Sequence, residues 1–468
     1  RIINEIMGQI DRKDFVRLLG GALGVSAAVA VGCTPKKSDD LKDAEISLES
    51  IDPKLMEYRV NPITGDKVSL LGYGCMRLPM KKLENDKKEV DQEAWNSLVD
   101  LAIQYGVNYF DTAPIYTRGL SEGATGIALS RHPREKYMVA TKMSNFEEGE
   151  QRTFAGSVAI YRNSMKELKV DYIDYYLLHA IGMNGVEEFN SRFIDNGLLD
   201  FLLKEREEGR IKNLGWSFHG DVKVFDYVLS LNYKWDFIQI QLNYIDWKHA
   251  GEFNVNADYL YSELEKRGIP AVIMEPLLGG RLVKLPKFLA RKLKEREPEA
   301  SLASWAFRYA GQPSNVLTVL SGMTYKEHLV DNLKTYSPLK KLTDDDLHLL
   351  ESIAVEYLTF PLIGCTECNY CLPCPYGIDI PAVFSHYNKC INEGTFAKSN
   401  NDENYKEYRK AFLVGYDRSV PKLRQADHCI SCGKCNPLCP QGIDIPKEMI
   451  RINTYVEHLK QNTDFNHI

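Results

Sequence analysis

Between residues 58 and 343 the chain switches eight times from a short apolar run to an amphipathic stretch, and that alternation leaves few folds open. The apolar runs are LLGYGCM (70–76), NYFDTA (108–113), YMVATKM (137–143), YIDYYLLHA (172–180), NLGWSFH (213–219), FIQIQLN (237–243), PAVIMEPL (270–277) and VLTVLSGM (316–323). Most are hydrophobic at every position rather than at alternate ones, as parallel strands buried on both faces are. Between them lie helical patterns such as QEAWNSLVDLAIQYG (92–106) and AGSVAIYRNSMKELKV (155–170). Eight strand–helix units over about 280 residues predict an α/β fold, a (β/α)8 barrel. A doubly wound open sheet is the rival, but it calls for a GxGxxG turn after its first strand. Here that strand runs into Arg77-Leu78-Pro79. A preceding stretch, YRVNPITGDKVS (58–69), reads as a hairpin around Thr64-Gly65-Asp66 that would plug the barrel bottom.

The chain of 468 residues exceeds one barrel, so a second, smaller domain is expected. The divisions read as 1–50, 51–345 and 346–468. A formal net charge of −6 argues against a nucleic-acid surface. In the first of these segments, DRKDFVR (11–17) precedes LLGGALGVSAAVAVG and Cys33. The apolar run is shorter than the ~20 residues a membrane span needs. A basic stretch before a short apolar run fits an export signal. Arg12-Lys13-x-Phe15 resembles a twin-arginine signal, and Ala30-Val31-Gly32-Cys33 a lipoprotein cleavage box that would anchor the chain in a membrane at Cys33. A frayed helix on a cytoplasmic protein is the alternative.

Barrel chemistry sits at the C-terminal ends of the strands. Those ends carry Phe110-Asp111-Thr112-Ala113 followed by Tyr116, then Ala140-Thr141-Lys142, then Leu177-Leu178-His179. Asp, Tyr, Lys and His would converge on one mouth. Any one of them alone is more often structural. Together with FDTAPIY, VATK, DYIDYYLLH, GRIKNLGWS, FIQIQLNY, MEPLLGG and VLSGM, in that order, they make residues 58–336 resemble the aldo/keto reductase family. The resemblance implies that Tyr116 protonates a carbonyl oxygen. It implies that Lys142, paired with Asp111, lowers the pKa of that phenol, and that His179 orients the carbonyl as a neutral imidazole. It implies a nicotinamide, NADP or NAD, as hydride source, and a small aldehyde or ketone as substrate. Gln239 would meet the carboxamide, with Ser217 beside it. Leu277, Gly279 and Gly280 would lie near the pyrophosphate, and Ser321, Gly322, Met323 and Asn332 near the adenosine end. His219 and Cys75 read as loop and packing residues.

Nine of the eleven cysteines lie beyond residue 364, which points to metal rather than a disulfide scaffold. One run is Cys365-x2-Cys368-x2-Cys371-x2-Cys374-Pro375, the other Cys429-x2-Cys432-x2-Cys435-x3-Cys439-Pro440. Such runs hold [4Fe–4S] clusters, the fourth cysteine ligating the other cube in two-cluster ferredoxins. One cluster is therefore assigned to Cys365, Cys368, Cys371 and Cys439, and the other to Cys429, Cys432, Cys435 and Cys374. Zinc is the weaker alternative, and Cys390 is a spare. CPYGIDIP (374–381) and CPQGIDIP (439–446) repeat, each opening a helix. With the helical residues between, the region resembles the all-helical ferredoxin domain of succinate dehydrogenase-type iron–sulfur subunits. Three functions compete: a nicotinamide-dependent carbonyl reductase coupled to a cluster relay, a reductase with structural or sensing clusters, and a non-catalytic barrel in a membrane-associated redox complex. A redox partner protein belongs with the first and third.

Overall fold

The computed structural model describes residues 48–83, 88–251 and 253–463. The stretch 1–50 that reads as an export signal and linker, including Cys33, lies outside the described residues except for its last three. Strands β1 (Tyr58–Val60) and β2 (Lys67–Ser69) form an antiparallel hairpin. The barrel strands begin with β3 (Leu71–Gly74). A second hairpin, β4 (Met80–Lys82) with β5 (Lys88–Val90), follows it. Then come β6 (Tyr109–Asp111), β7 (Met138–Met143), β8 (Ile173–Ile181), β9 (Ile211–Phe218), β10 (Phe237–Gln241), β11 (Ala271–Met274) and β12 (Val316–Ser321). Strands β3 and β6 to β12 close a parallel barrel in which β12 pairs with β3. All eight apolar runs are therefore barrel strands. The β4–β5 hairpin carries no apolar alternation and was not legible in the sequence; its residues 80–82 are exposed.

The barrel interior is filled, not hollow. Tyr109, Tyr175, Leu177, Phe237, Val272 and Leu317 pack inside it, and Val68 of the hairpin joins them from below. The hairpin is fixed by buried polar contacts rather than apolar area alone. Asn61 Nδ2 donates to Asn213 Oδ1 (3.3 Å), and Asn213 Nδ2 donates to Asp66 Oδ2 (2.8 Å). The Tyr175 hydroxyl donates to the same Asp66 oxygen at 3.0 Å.

The helix Asp344–Tyr357 leads off the barrel, started by a capping box between Thr343 and Asp346. Leu350, Ile353, Ala354 and Tyr357 bury its inner face against Leu282, Leu289 and Trp305. Beyond it, the helices Ile380–Asn392, Tyr405–Ser419 and Ile445–Gln461 form a separate core around Tyr387, Phe412, Met449 and Tyr455. The two repeats start their helices identically. Asp379 accepts from Ala382 N and Asp444 from Lys447 N, each with a proline in the first turn. Among the described residues no helix is long and apolar enough to cross a membrane.

Asp66→Ala should leave the Tyr175 hydroxyl and the Asn213 amide without their shared acceptor. Each orphaned buried group costs about 1–3 kcal/mol. A lower midpoint in urea unfolding followed by circular dichroism, with the barrel mouth unaffected, is the expected result.

Candidate active site and cluster loops

The strands deliver the four predicted side chains to one end of the barrel. Asp111 closes β6, Lys142 is the penultimate residue of β7, His179 lies near the end of β8, and Tyr116 opens the short helical turn after β6. Lys142 Nζ donates to Asp111 Oδ1 and, at 2.8 Å, to the Thr112 carbonyl. Both members of the pair are buried. Burial pushes the Asp111 carboxyl up and the Lys142 ammonium down, each against the pull of the other's charge. The ammonium sits 4.9 Å from the centroid of the Tyr116 ring. Tyr116 itself is buried, and burial pushes its phenol well above the ordinary range. In this chain desolvation therefore outweighs the lowering expected from Lys142.

His179 stands with its ring 5.9 Å from that of Tyr116 and 78° to it. Its Nδ1 is paired with the Ser144 hydroxyl at 2.7 Å. Burial, reinforced by the charges of Lys142 and Arg192, pushes the imidazole well below its usual pKa. The ring is thus neutral at physiological pH. His219 is also pushed down by burial, to about 4, and its Nδ1 has no partner.

Of the residues predicted for the nicotinamide, Gln239 is buried and its Oε1 has no hydrogen-bond partner. Ser217 Oγ accepts from the Ala180 amide at 2.9 Å. The stretch Leu277–Gly280 is a tight turn in which Gly279 and Gly280 have φ of +68° and +91°. Gly279 is pressed by the cluster domain: a Cβ there would stand 2.4 Å from Thr366 Cα. Ser321 and Asn332 are buried together, Asn332 Nδ2 donating to Ser321 Oγ at 2.8 Å. Met323 is buried with its carbonyl held by the Tyr73 hydroxyl, while Gly322 is exposed.

The two cysteine runs open with the same turn. Glu367 and Asn369 in the first, like Ser431 and Gly433 in the second, all have positive φ. These are equivalent positions, the second and fourth after the leading cysteine. Non-glycine residues take that conformation at a cost of about 1–2 kcal/mol, so the loops are held in it by their surroundings. The Cys365, Cys368 and Cys371 thiols interact with one another and with that of Cys439. Cys435 interacts with Cys429, Cys432 and Cys374. Each set gathers three cysteines of one run and the fourth of the other, including Cys374 of the shorter run. Among the described residues no three such groups converge closely enough for a single ion; the thiolates of a cluster surround a cube instead. Cys75 and Cys390 are buried, Cys75 Sγ near the Tyr73 carbonyl and Cys390 Sγ near His386 Nε2.

Four residues at the mouth were not singled out in the sequence. Arg77, after β3, donates to the Thr366 carbonyl and, at 3.5 Å, to that of Gly279. Glu275, after β11, has φ of +53° and a carboxyl raised by burial but drawn down by Arg77. Thr366 covers Gly279. Tyr370, between Cys368 and Cys371, lies near enough to Tyr116 for the two phenols to act on each other electrostatically, raising that of Tyr116. The one sequence signal for Tyr370 is its place in the repeat, where the second run has Lys434. A further contact brings Gln441 within 3.4 Å of Gln241 and of Asn254. The cluster domain thus sits on the barrel mouth.

Comparison with known proteins matches residues 70–355 to the aldo/keto reductase family and residues 364–444 to a 4Fe–4S dicluster domain. An L-galactose dehydrogenase of Arabidopsis thaliana is 26% identical over 65% of this chain and 97% of its own length. An uncharacterised oxidoreductase of Bacillus subtilis is also 26% identical, over 61% of this chain and 92% of its own. An NADH-specific methylglyoxal reductase of Escherichia coli is 25% identical over 56% and 90%. Among solved structures, an aldo-keto reductase of Bacillus halodurans in its holo form superposes with a TM-score of 0.51 at 23% identity, covering 64% of this chain and 96% of that one.

Asp111→Asn should leave a buried ammonium facing only a carbonyl and an amide. Removing one partner of a buried ion pair costs about 3–5 kcal/mol. A matching fall in unfolding free energy, read by denaturant titration, is expected.

Proposed function

Because the chain belongs to the aldo/keto reductase family and carries a 4Fe–4S dicluster domain, we propose that it reduces a small aldehyde or ketone with a nicotinamide dinucleotide and exchanges electrons through two [4Fe–4S] clusters. The observation that carries the reading is the convergence of Tyr116, His179 and the buried Asp111–Lys142 pair at the barrel mouth. The substrate class is supported by two relatives, whose names describe a methylglyoxal reductase and a dehydrogenase of a sugar.

The residues present suit both kinds of cofactor. The orphaned Gln239 oxygen is an acceptor for a carboxamide N–H, and the Arg77 guanidinium at the Gly279 turn suits a pyrophosphate. Cys365, Cys368, Cys371 and Cys439 would hold one cluster, and Cys429, Cys432, Cys435 and Cys374 the other. A bound nicotinamide supplies the hydride, and a cluster stores single electrons. The chain's own side chains do the rest. The His179 imidazole, neutral and aligned by Ser144, offers its Nε2 to orient a carbonyl oxygen. The Tyr116 hydroxyl gives that oxygen its proton as the carbonyl carbon is reduced. Lys142 stays with Asp111 and faces the phenol ring, which favours the phenolate left behind. Burial of the site keeps water from competing for the carbonyl.

A redox partner would meet the second cysteine set. Cys432 is exposed there, and so are Leu423, Ile430 and Leu438. Apolar surface gathered beside a cluster suits transient docking of an electron carrier.

Tyr116→Phe should abolish NAD(P)H-dependent reduction of methylglyoxal or a similar small carbonyl, with cluster absorbance intact; full activity in that variant would sink the assignment. Anaerobic NAD(P)H without mediator should bleach the clusters of the wild-type chain. Carbonyl reduction without any bleaching would instead support clusters that serve the fold alone.

A further inference from the structure

His219 stands at the barrel mouth with a ring nitrogen that the fold does not use. It follows β9, and its amide donates to the Ile181 carbonyl at 2.8 Å, so the ladder between β8 and β9 runs one residue past the strand. Side chains alternate along β9. Trp216 and Phe218 point outward, with rings 5.4 and 5.0 Å from that of Phe225 on the helix Val222–Ser230. The residues between them point inward. Gly215 pairs with Phe237, which fills the barrel interior, and Ser217 pairs with Gln239. His219 is the next inward position, beside the end of β8 that carries His179.

The turn that holds His219 is tightly set. A Cβ on Gly182 would stand 2.3 Å from the His219 carbonyl oxygen, and one on Gly220 would stand 2.5 Å from that of Gly182. The Asp221 amide donates to the Gly182 carbonyl at 3.1 Å, and the Asp221 side chain caps the next helix. Yet the ring so firmly placed has a free nitrogen: its Nδ1 is buried and meets no hydrogen-bond partner. Folded chains rarely leave such an atom unmet. Burial keeps the imidazole neutral, so it offers one N–H and one lone pair. The ring also lies close enough to His179 for the two to act on each other's charge. His179 differs in having its Nδ1 taken by Ser144, which leaves only Nε2 for a ligand.

We propose that His219 is a substrate-binding residue that selects carbonyl compounds bearing an oxygen on the neighbouring carbon, its Nδ1 pairing with that oxygen while His179 orients the carbonyl. The inference rests on the carbonyl-reductase reading, and its test separates the two. A hydroxyl can donate to Nδ1 or accept from it, so it satisfies either tautomer of the ring. A methyl group in the same place would leave the nitrogen buried and unpaired. A site built in this way rejects the analogue that lacks the oxygen. The Gln239 oxygen, deeper in the barrel, is the acceptor for a carboxamide, which leaves the His219 nitrogen to the substrate.

Glycolaldehyde and propionaldehyde test this, since one has a hydroxyl where the other has a methyl. In the cluster-loaded full chain, kcat/KM with NAD(P)H should favour glycolaldehyde. His219→Leu should cut that preference about tenfold to a hundredfold, the worth of a hydrogen bond whose loss strands a buried group. His219→Asn, whose amide can stand where Nδ1 stood, should keep most of the preference. His219→Gln, whose amide stands nearer the place of Nε2, should lose it, which keeps the test open if the leucine variant fails to fold. The affinity for NAD(P)H, read by equilibrium dialysis, should stay within about twofold of wild type, since the bond is made to the substrate alone. A wild-type chain that reduces both aldehydes equally well would overturn the role of His219 and leave the reductase reading standing. So would a preference unchanged in both His219→Leu and His219→Gln, or one that falls together with NAD(P)H affinity, which would give the nitrogen to the cofactor. A wild-type chain that reduces neither aldehyde, or a Tyr116→Phe chain that reduces both, would overturn the reductase reading itself.

Discussion

The mouth of the barrel is organised around one buried ammonium. Lys142 reaches it on β7, and nothing in a packed barrel would tolerate that charge unpaired. Asp111 from β6 and the Thr112 carbonyl meet it. These contacts fix the end of β6, and with it the turn that carries Tyr116. The same charge bears on His179 and helps keep it neutral. Tyr116, His179 and the Asp111–Lys142 pair are thus parts of one electrostatic arrangement, in which moving any member changes the state of the others.

The second constraint is the seat of the cluster domain. Gly279 has no side chain, and Thr366 uses the space one would occupy. Arg77 joins the two by bonding both carbonyls. Gln441 adds a contact on the opposite repeat, next to Cys439, which completes the first cysteine set. The first set therefore faces the barrel through both of its contributing loops. The second set keeps Cys432 and Ile430 exposed. A duplicated motif is thus divided into an inward-facing half and an outward-facing half.

Much of this was legible in the sequence, for physical reasons that differ. The eight strands showed because strands buried on both faces are apolar at every position, a local signal. The cysteine sets showed because a cube fixes the spacing of its ligands. The pairing of Asp66 with Tyr175 and Asn213 across the barrel bottom did not show, because it joins residues far apart in the chain. Tyr370 did not show either. Its local context is that of a cluster loop, and its neighbour Tyr116 belongs to another domain. Glu275 was hidden for a third reason: its left-handed backbone turns the side chain in a direction that no strand periodicity predicts.

The meeting of Tyr370 with Tyr116 bears on an awkward count of electrons. A hydride moves two electrons together, while a cluster moves one. No single residue can reconcile those steps, but the placement of the loops narrows how they would be joined. Tyr370 is two residues from Cys368 and adjacent to Cys371 in the chain, and it lies beside Tyr116. The first cysteine set thus lies on the side of the cluster domain that meets the barrel mouth. Under the proposed relay, two one-electron sites in series, one facing the barrel and one at the surface, would share the two electrons a single hydride equivalent carries. The barrel would then work on pairs of electrons and the outer cluster on single ones, with the inner cluster between them.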